Sequence, residues 1–252
     1  MWRTPALIVV TALILISCGP KSIAKKPVPR EREIRAIRLM AEGDALLKEE
    51  KYHLAMLKYM EASEMNPYHE VIFNKLAVVY SRLARFYEAR VAVERSIGLN
   101  RNYAYAYNTL GILDMATKDI EGARKAFEKA ISLNPDVANF HANLFYAYVK
   151  LGLTGKAQTA LNRALKLNPN IFESGNSIEI DTAVENDPEE LYQLAVSFAE
   201  IGNLSYCLRY LGKALSLDLA DVRRIQTEKA FDRFRDEPKF MSLMRLFGIG
   251  VN

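Results

Sequence analysis

The chain has 252 residues, half of them apolar and a quarter charged, with a formal net charge of +4. That length suits one elongated domain or two compact ones, and the apolar share is enough to bury a core. So mild a charge, without a clustered basic face, excludes nucleic acid as an expected partner.

The N-terminus reads as a targeting segment. Arg3 supplies a positive start, and residues 6–16 form an apolar run shorter than the about 20 residues a membrane-spanning helix needs. The run ends in Leu15-Ile16-Ser17-Cys18, which resembles the lipobox of bacterial lipoproteins. That resemblance implies removal of a signal peptide, 1–17, and acylation of Cys18 as the lipid-attachment residue. The alternatives are an uncleaved anchor, or a plain signal with a coincidental cysteine. Two or three acyl chains would hold the protein stably, where a single one binds only marginally. Gly19 after the cysteine, by resemblance to the sorting rule of enteric bacteria, points to the outer membrane, facing the periplasm. Residues 18–33, with Pro20, Pro27 and Pro29 among several lysines, read as a flexible tether. If Cys18 is a thioether, Cys207 has no thiol partner in the chain, so stability must come from the core.

Beyond the tether the sequence repeats. Ala55, Ala89, Ala123 and Ala157 lie 34 residues apart, and the same step relates Tyr59, Val93, Phe127 and Leu161. It also relates Ala62, Ser96, Ala130 and Ala164, and upstream Gly43, Ala77, Gly111 and Phe145. Small residues recur where two helices must approach closely, and large ones on faces that stack against the next pair. Asn66-Pro67, Asn134-Pro135 and Asn168-Pro169 close the second helix, because proline biases its predecessor away from the α region.

The spacing resembles the tetratricopeptide repeat, a pair of antiparallel helices of this period. Asn108-Thr109-Leu110-Gly111 and the run from Gly122 to Pro135 look very like its consensus. The resemblance implies an all-α fold: a right-handed α-solenoid of about five helix pairs plus C-terminal capping helices. Four repeats are expected at about 36–69, 70–103, 104–137 and 138–171. Two positions depart from the pattern. Phe145 stands where the family has a small residue, so it should push its helices apart or meet small neighbours. Asp114 stands where a large aromatic is usual, and should turn to solvent or find a hydrogen-bond partner, since burying an unpaired carboxylate is expensive.

After Pro169 the step breaks, and 172–187 reads as an inserted loop with a short helix. Pro188 opens a fifth pair, 188–221, in which Cys207 takes the Ala55-type position as a small buried residue. The end, 222–252, resembles a terminator of bacterial arrays of this kind, with Phe231, Phe234 and Phe240 covering the apolar end as a solenoid cap must.

Catalytic and metal-binding motifs are absent from the sequence, and no cofactor is expected beyond a covalent lipid on Cys18. His53 and His69 fall near helix ends, and His141 takes a large-residue position. By resemblance, the functional surface is the concave groove lined by the first helix of each pair, which in the family holds a peptide. The matching positions are Asn74, Val78, Tyr105, Asn108, Ile112, Asn139 and Tyr146. Asn can bond both backbone N–H and C=O of a guest, and Tyr supplies area with a polar tip. The Lys/Arg clamp some members use for a carboxylate is not evident: Met40 and Asp44 stand where a Lys and an Asn would be wanted. A neutral, aromatic-bearing segment is the expected guest. The expected function is a membrane-anchored scaffold in the bacterial envelope; the alternative is an enzyme or small-molecule binder with its site near 172–187.

Overall fold

The computed structural model describes residues 22–172 and 187–250, so the expected signal peptide, Cys18 and nearly all of the 172–187 insertion lie outside the described residues. Helices occur as antiparallel pairs: α1 (Arg30–Lys48) with α2 (Tyr52–Met65), α3 (Glu70–Arg82) with α4 (Phe86–Leu99), α5 (Ala104–Ala116) with α6 (Ile120–Leu133), and α7 (Ala138–Lys150) with α8 (Thr154–Leu167). A fifth pair, α9 (Pro188–Glu200) and α10 (Leu204–Ser216), is followed by α11 (Arg224–Thr227), a 3-10 turn (Lys229–Phe234) and α12 (Pro238–Leu246). No strand occurs among the described residues. The starts of α3, α5 and α7 keep the 34-residue step. The first helix starts at Arg30, ahead of the expected boundary at 34, because Pro29 can lead into a helix whose next residues, Glu31 and Glu33, suit its positive end.

Each pair is closed by the same turn. The amide of Lys51 reaches the carbonyl of Leu46, and Arg85 to Tyr80, Asp119 to Asp114, Leu153 to Tyr148 and Asn203 to Phe198 repeat it at 2.8–2.9 Å. The turn needs one residue in the left-handed region. Glu50, Ala84 and Lys118 take it with positive φ, and Gly152 and Gly202 take it without a Cβ penalty. The joints between pairs share a second device. Asn66, Asn100 and Asn168 end their helices and accept the amide two residues on at 3.0–3.1 Å. Asn100 does so without a following proline, so the carboxamide, rather than the proline, is the constant element.

Inside each pair, size on one helix answers size on the other. A Cβ built on Gly43 would lie 2.5 Å from the Tyr59 ring, and one on Gly111 2.5 Å from the Phe127 ring. Repeat two combines Ala77 with the smaller Val93. Phe145, in register with Leu161, breaks this compensation. Its ring instead enters an aromatic cluster, 6.0 Å from Phe172 and 5.8 Å from Phe198, both edge to face. Phe172 also meets Tyr146 and Tyr206, and Phe198 stacks on Tyr210 at 5.4 Å and 7°.

Ile171 and Phe172 therefore act as a buried wedge between the fourth and fifth pairs. There α9 touches α7 and α8 only lightly, in place of the regular stacking seen at α2 on α3 or α6 on α7. The apolar interior divides within α5, ahead of the wedge. One core runs through the first two repeats to Leu113, and another runs from Met115 through the wedge to the C-terminal cap. Phe231, Phe234 and Phe240 are buried there as the cap requires, and Cys207 is fully buried, its thiol pushed up to about 12 by burial. His141 is buried with a ring nitrogen 2.8 Å from the Pro135 carbonyl.

Asp114 is buried as well. The Arg90 guanidinium of the preceding pair hydrogen-bonds its carboxylate. Burial outweighs that partner and raises the carboxyl above its usual range.

Candidate functional site: the inner groove

The first helices of successive pairs touch, α3 with α5 and α5 with α7, and form one inner face. Stacking at a 34-residue step brings residues of equal register into rows along it. Val78 and Ile112, from one row, line a pocket of about 190 Å³ with Ser81, Arg82, Phe86, Thr109 and Ala116. Phe86, from the start of α4, contributes apolar lining to the same pocket. Tyr105 is 47% exposed, propped edge to face on Phe140 at 5.3 Å, and so presents a supported aromatic surface.

The asparagines split. Asn108 accepts a hydrogen bond from Asn143 at 2.8 Å, a carboxamide bridge between α5 and α7. Asn74 is buried, and its Oδ1 has no hydrogen-bond partner, which leaves a desolvated acceptor on the inner face. Asn139 is exposed at the start of α7.

Tyr146 requires a correction. It is 1% exposed, its hydroxyl lies 3.2 Å from that of Tyr210, and its ring packs on Phe145 and Phe172. The groove row continues to Tyr146 in sequence, but the wedge and the fifth pair cover it in space. The open groove therefore belongs to the first three repeats.

Residues missed by sequence reasoning sit at the groove's first half. Lys75 Nζ reaches Asp44 Oδ1 at 2.7 Å, and the same oxygen accepts the Tyr59 hydroxyl at 2.7 Å. Asp44 stands out in the sequence as a departure; its partner does not, because only stacking brings α1 and α3 together. This pair neutralises a lysine that could otherwise greet an acidic guest. A second apolar depression, of about 250 Å³, lies elsewhere on α3 and α4 among Phe73, Leu76, Tyr80, Tyr87 and Val91. Repeats three and four have Lys125 and Thr159 at the Val91 position.

Among the described residues, no group of three or more His, Cys, Asp or Glu is placed to hold a metal ion. No helix among them is long and apolar enough to cross a membrane.

Comparison with known proteins agrees with the architecture. A tetratricopeptide repeat family model matches residues 114–172. RNA polymerase II-associated protein 3 of Homo sapiens is 32% identical over 87 residues, 34% of this chain and 13% of that protein. Its Xenopus laevis counterpart is 30% identical over 88 residues, 35% of this chain and again 13% of that protein. The chain thus matches only a small part of the length of these relatives. Among solved structures, Pseudomonas aeruginosa pilF superposes with a TM-score of 0.59 at 16% identity, over 87% of this chain and 95% of that one. A thermophilic tetratricopeptide repeat protein of Thermus thermophilus superposes with a TM-score of 0.53 at 21% identity, over 78% of this chain and 98% of that one. At such identities the likeness concerns the fold alone. Period, paired helices and size complementarity converge on a tetratricopeptide-repeat solenoid fold, with residues 114–172 matching the family's own model.

Proposed function

We propose that this protein is a binding scaffold that holds a segment of another protein in the groove of its first three repeats, and that it works tethered to a membrane through lipid on Cys18 in a bacterial envelope. The tetratricopeptide fold suggests a protein-interaction module. The observation that carries the groove reading is the apolar pocket formed by Val78, Ile112 and Phe86, with Tyr105 exposed and Asn74 and Asn108 in the neighbouring row. Such a surface takes one apolar side chain of a guest and bonds its backbone. The Asp44–Lys75 pair neutralises one groove cation that an acidic tail could otherwise use. A neutral segment with an aromatic or large aliphatic anchor fits best. The anchor reading is supported by the register of Arg3, the apolar run 6–16 and Leu15-Ile16-Ser17-Cys18. No site for catalysis is proposed.

Two experiments test the two halves. Affinity capture with the unmodified protein and with a Tyr105→Ala/Ile112→Ser variant is expected to lose the partner in the variant; equal recovery would refute the groove. Labelled palmitate is expected on the unmodified chain and absent from Cys18→Ser, and label persisting in Cys18→Ser would refute the anchor.

A further inference from the structure

Residues 22–29 precede α1 and lie against the second repeat, where a free tether would leave the body. The Ile23 N–H donates to the Gly98 carbonyl at 2.7 Å, at the end of α4. Lys25 Nζ meets Glu70 Oε2 at 2.7 Å at the start of α3, while Glu70 Oε1 accepts the Asn100 carboxamide at 2.9 Å. Lys25, Lys26 and Val28 line a cleft of about 300 Å³ with Asn66, Tyr68 and His69.

Both contact points are departures from the repeat. The Glu70 position is Ala36, Ala104 and Ala138 in the other pairs, and the Gly98 position is Glu64, Ser132 and Lys166. Those last three are exposed, whereas Gly98 is buried. Glycine weakens a helix, so its presence in the last turn of α4 calls for a compensating contact. The backbone of residue 23 supplies one. The pairs built around alanine at the Glu70 position close without a carboxylate there. Glu70 and Gly98 together form a bed for the preceding segment.

We propose that residues 22–28 are a strap docked on the second repeat, and that it orients the anchored protein by holding one edge of the array, loops 66–69 and 100–103, against the lipid headgroups. This rests on the reading of Cys18 as the attachment point. Cys18 lies five residues before Ile23, a reach of at most about 18 Å for an extended chain. The bilayer surface must then lie that close to the C-terminal end of α4. Beside the ion-paired Lys25, the edge carries Lys26 and Arg101 with Tyr68 and Tyr103, cations and amphipathic rings that suit a headgroup layer. Helices would stand across the membrane plane and the groove would run along it, open sideways to a guest.

The test uses the mature chain, residues 18–252, coupled through its Cys18 thiol to a maleimide lipid in vesicles with anionic headgroups, some of them spin-labelled as quenchers. Chemical coupling makes the result independent of whether cells acylate Cys18, which the palmitate experiment decides separately. A fluorescent amino acid is placed at Asn102, exposed on the strap edge, or at Tyr87, 80% exposed at the opposite end of α4. The two are about 20 Å apart along the helix axis. Strong quenching at 102 and weak quenching at 87 is expected. In a Lys25→Ala/Glu70→Ala/Gly98→Ser variant, which leaves the net charge unchanged and gives positions 70 and 98 residues found in other repeats, the contrast should disappear with the helical signal intact. Equal quenching at both positions in the unmodified strap, or a contrast that survives in the variant, overturns the proposal.

Discussion

The two halves of this molecule solve the same packing problem differently. In the first three repeats, each pair answers bulk with its absence, as Gly43 beneath Tyr59 and Gly111 beneath Phe127, and pairs stack in register. The inner face of these repeats stays accessible, with Tyr105 47% exposed on it. From repeat four onward, bulk meets bulk: Phe145 stands opposite Leu161, and Phe172 fills the irregular joint. The result is a closed aromatic core continuous with the cap. Regular stacking leaves a surface for a guest, while irregular stacking uses that surface to hold the chain itself.

That contrast can be broken most forcefully at the wedge. Phe172→Ala removes a buried ring from between the fourth and fifth pairs and should lower stability by about 3–5 kcal/mol in urea unfolding. Because contacts in such arrays are between neighbours, amide exchange should accelerate first in α9, α10 and the cap, with α1 to α4 little changed. Uniform acceleration would merge the two halves into one unit.

A smaller effect is expected at Gly111. Gly111→Ala places a Cβ against the Phe127 ring and should lower stability by about 1–3 kcal/mol in the same urea titration. Adding Phe127→Val copies the Ala77–Val93 pairing of repeat two and should recover part of that loss. No recovery would mean that size complementarity is not what the repeat encodes.

The smallest effect belongs to Asp114, which links α4 to α5. Burial, opposed by Arg90, raises its carboxyl, so folding favours the protonated form. Stability from this group is therefore full below the unfolded carboxyl range and declines as pH rises through the raised folded value. Asp114→Asn mimics the protonated state. It should match or exceed the unmodified protein at neutral pH by up to about 1 kcal/mol, with the difference vanishing in acid thermal melts. A loss at neutral pH would show that the Arg90 pair outweighs desolvation.

The sequence carried the pair architecture well, because a 34-residue period in small and large residues is a direct imprint of stacking. Cys207 followed from register within its pair, and the cap phenylalanines from the resemblance of 222–252 to an array terminator. Three things were not legible. The covering of Tyr146 depends on where Phe172 goes, and that lies beyond the repeat. The Asp44–Lys75 pair joins residues on different helices that only stacking brings together. The docking of residues 22–28 was hidden because lysines and prolines ahead of a helix read as a spacer. Its trace was nonetheless present, in Glu70 and Gly98, two residues that agree with none of their counterparts.

The central claim, that the open half of the array is where a partner sits, is tested most directly by photo-crosslinking in cells. A photoreactive amino acid at Ile112 faces the groove pocket, and one at Thr159 lies on an exposed part of α8 in the closed half. A discrete protein adduct at position 112 and none at 159 is the predicted outcome. Adducts at 159 with none at 112 would contradict the account.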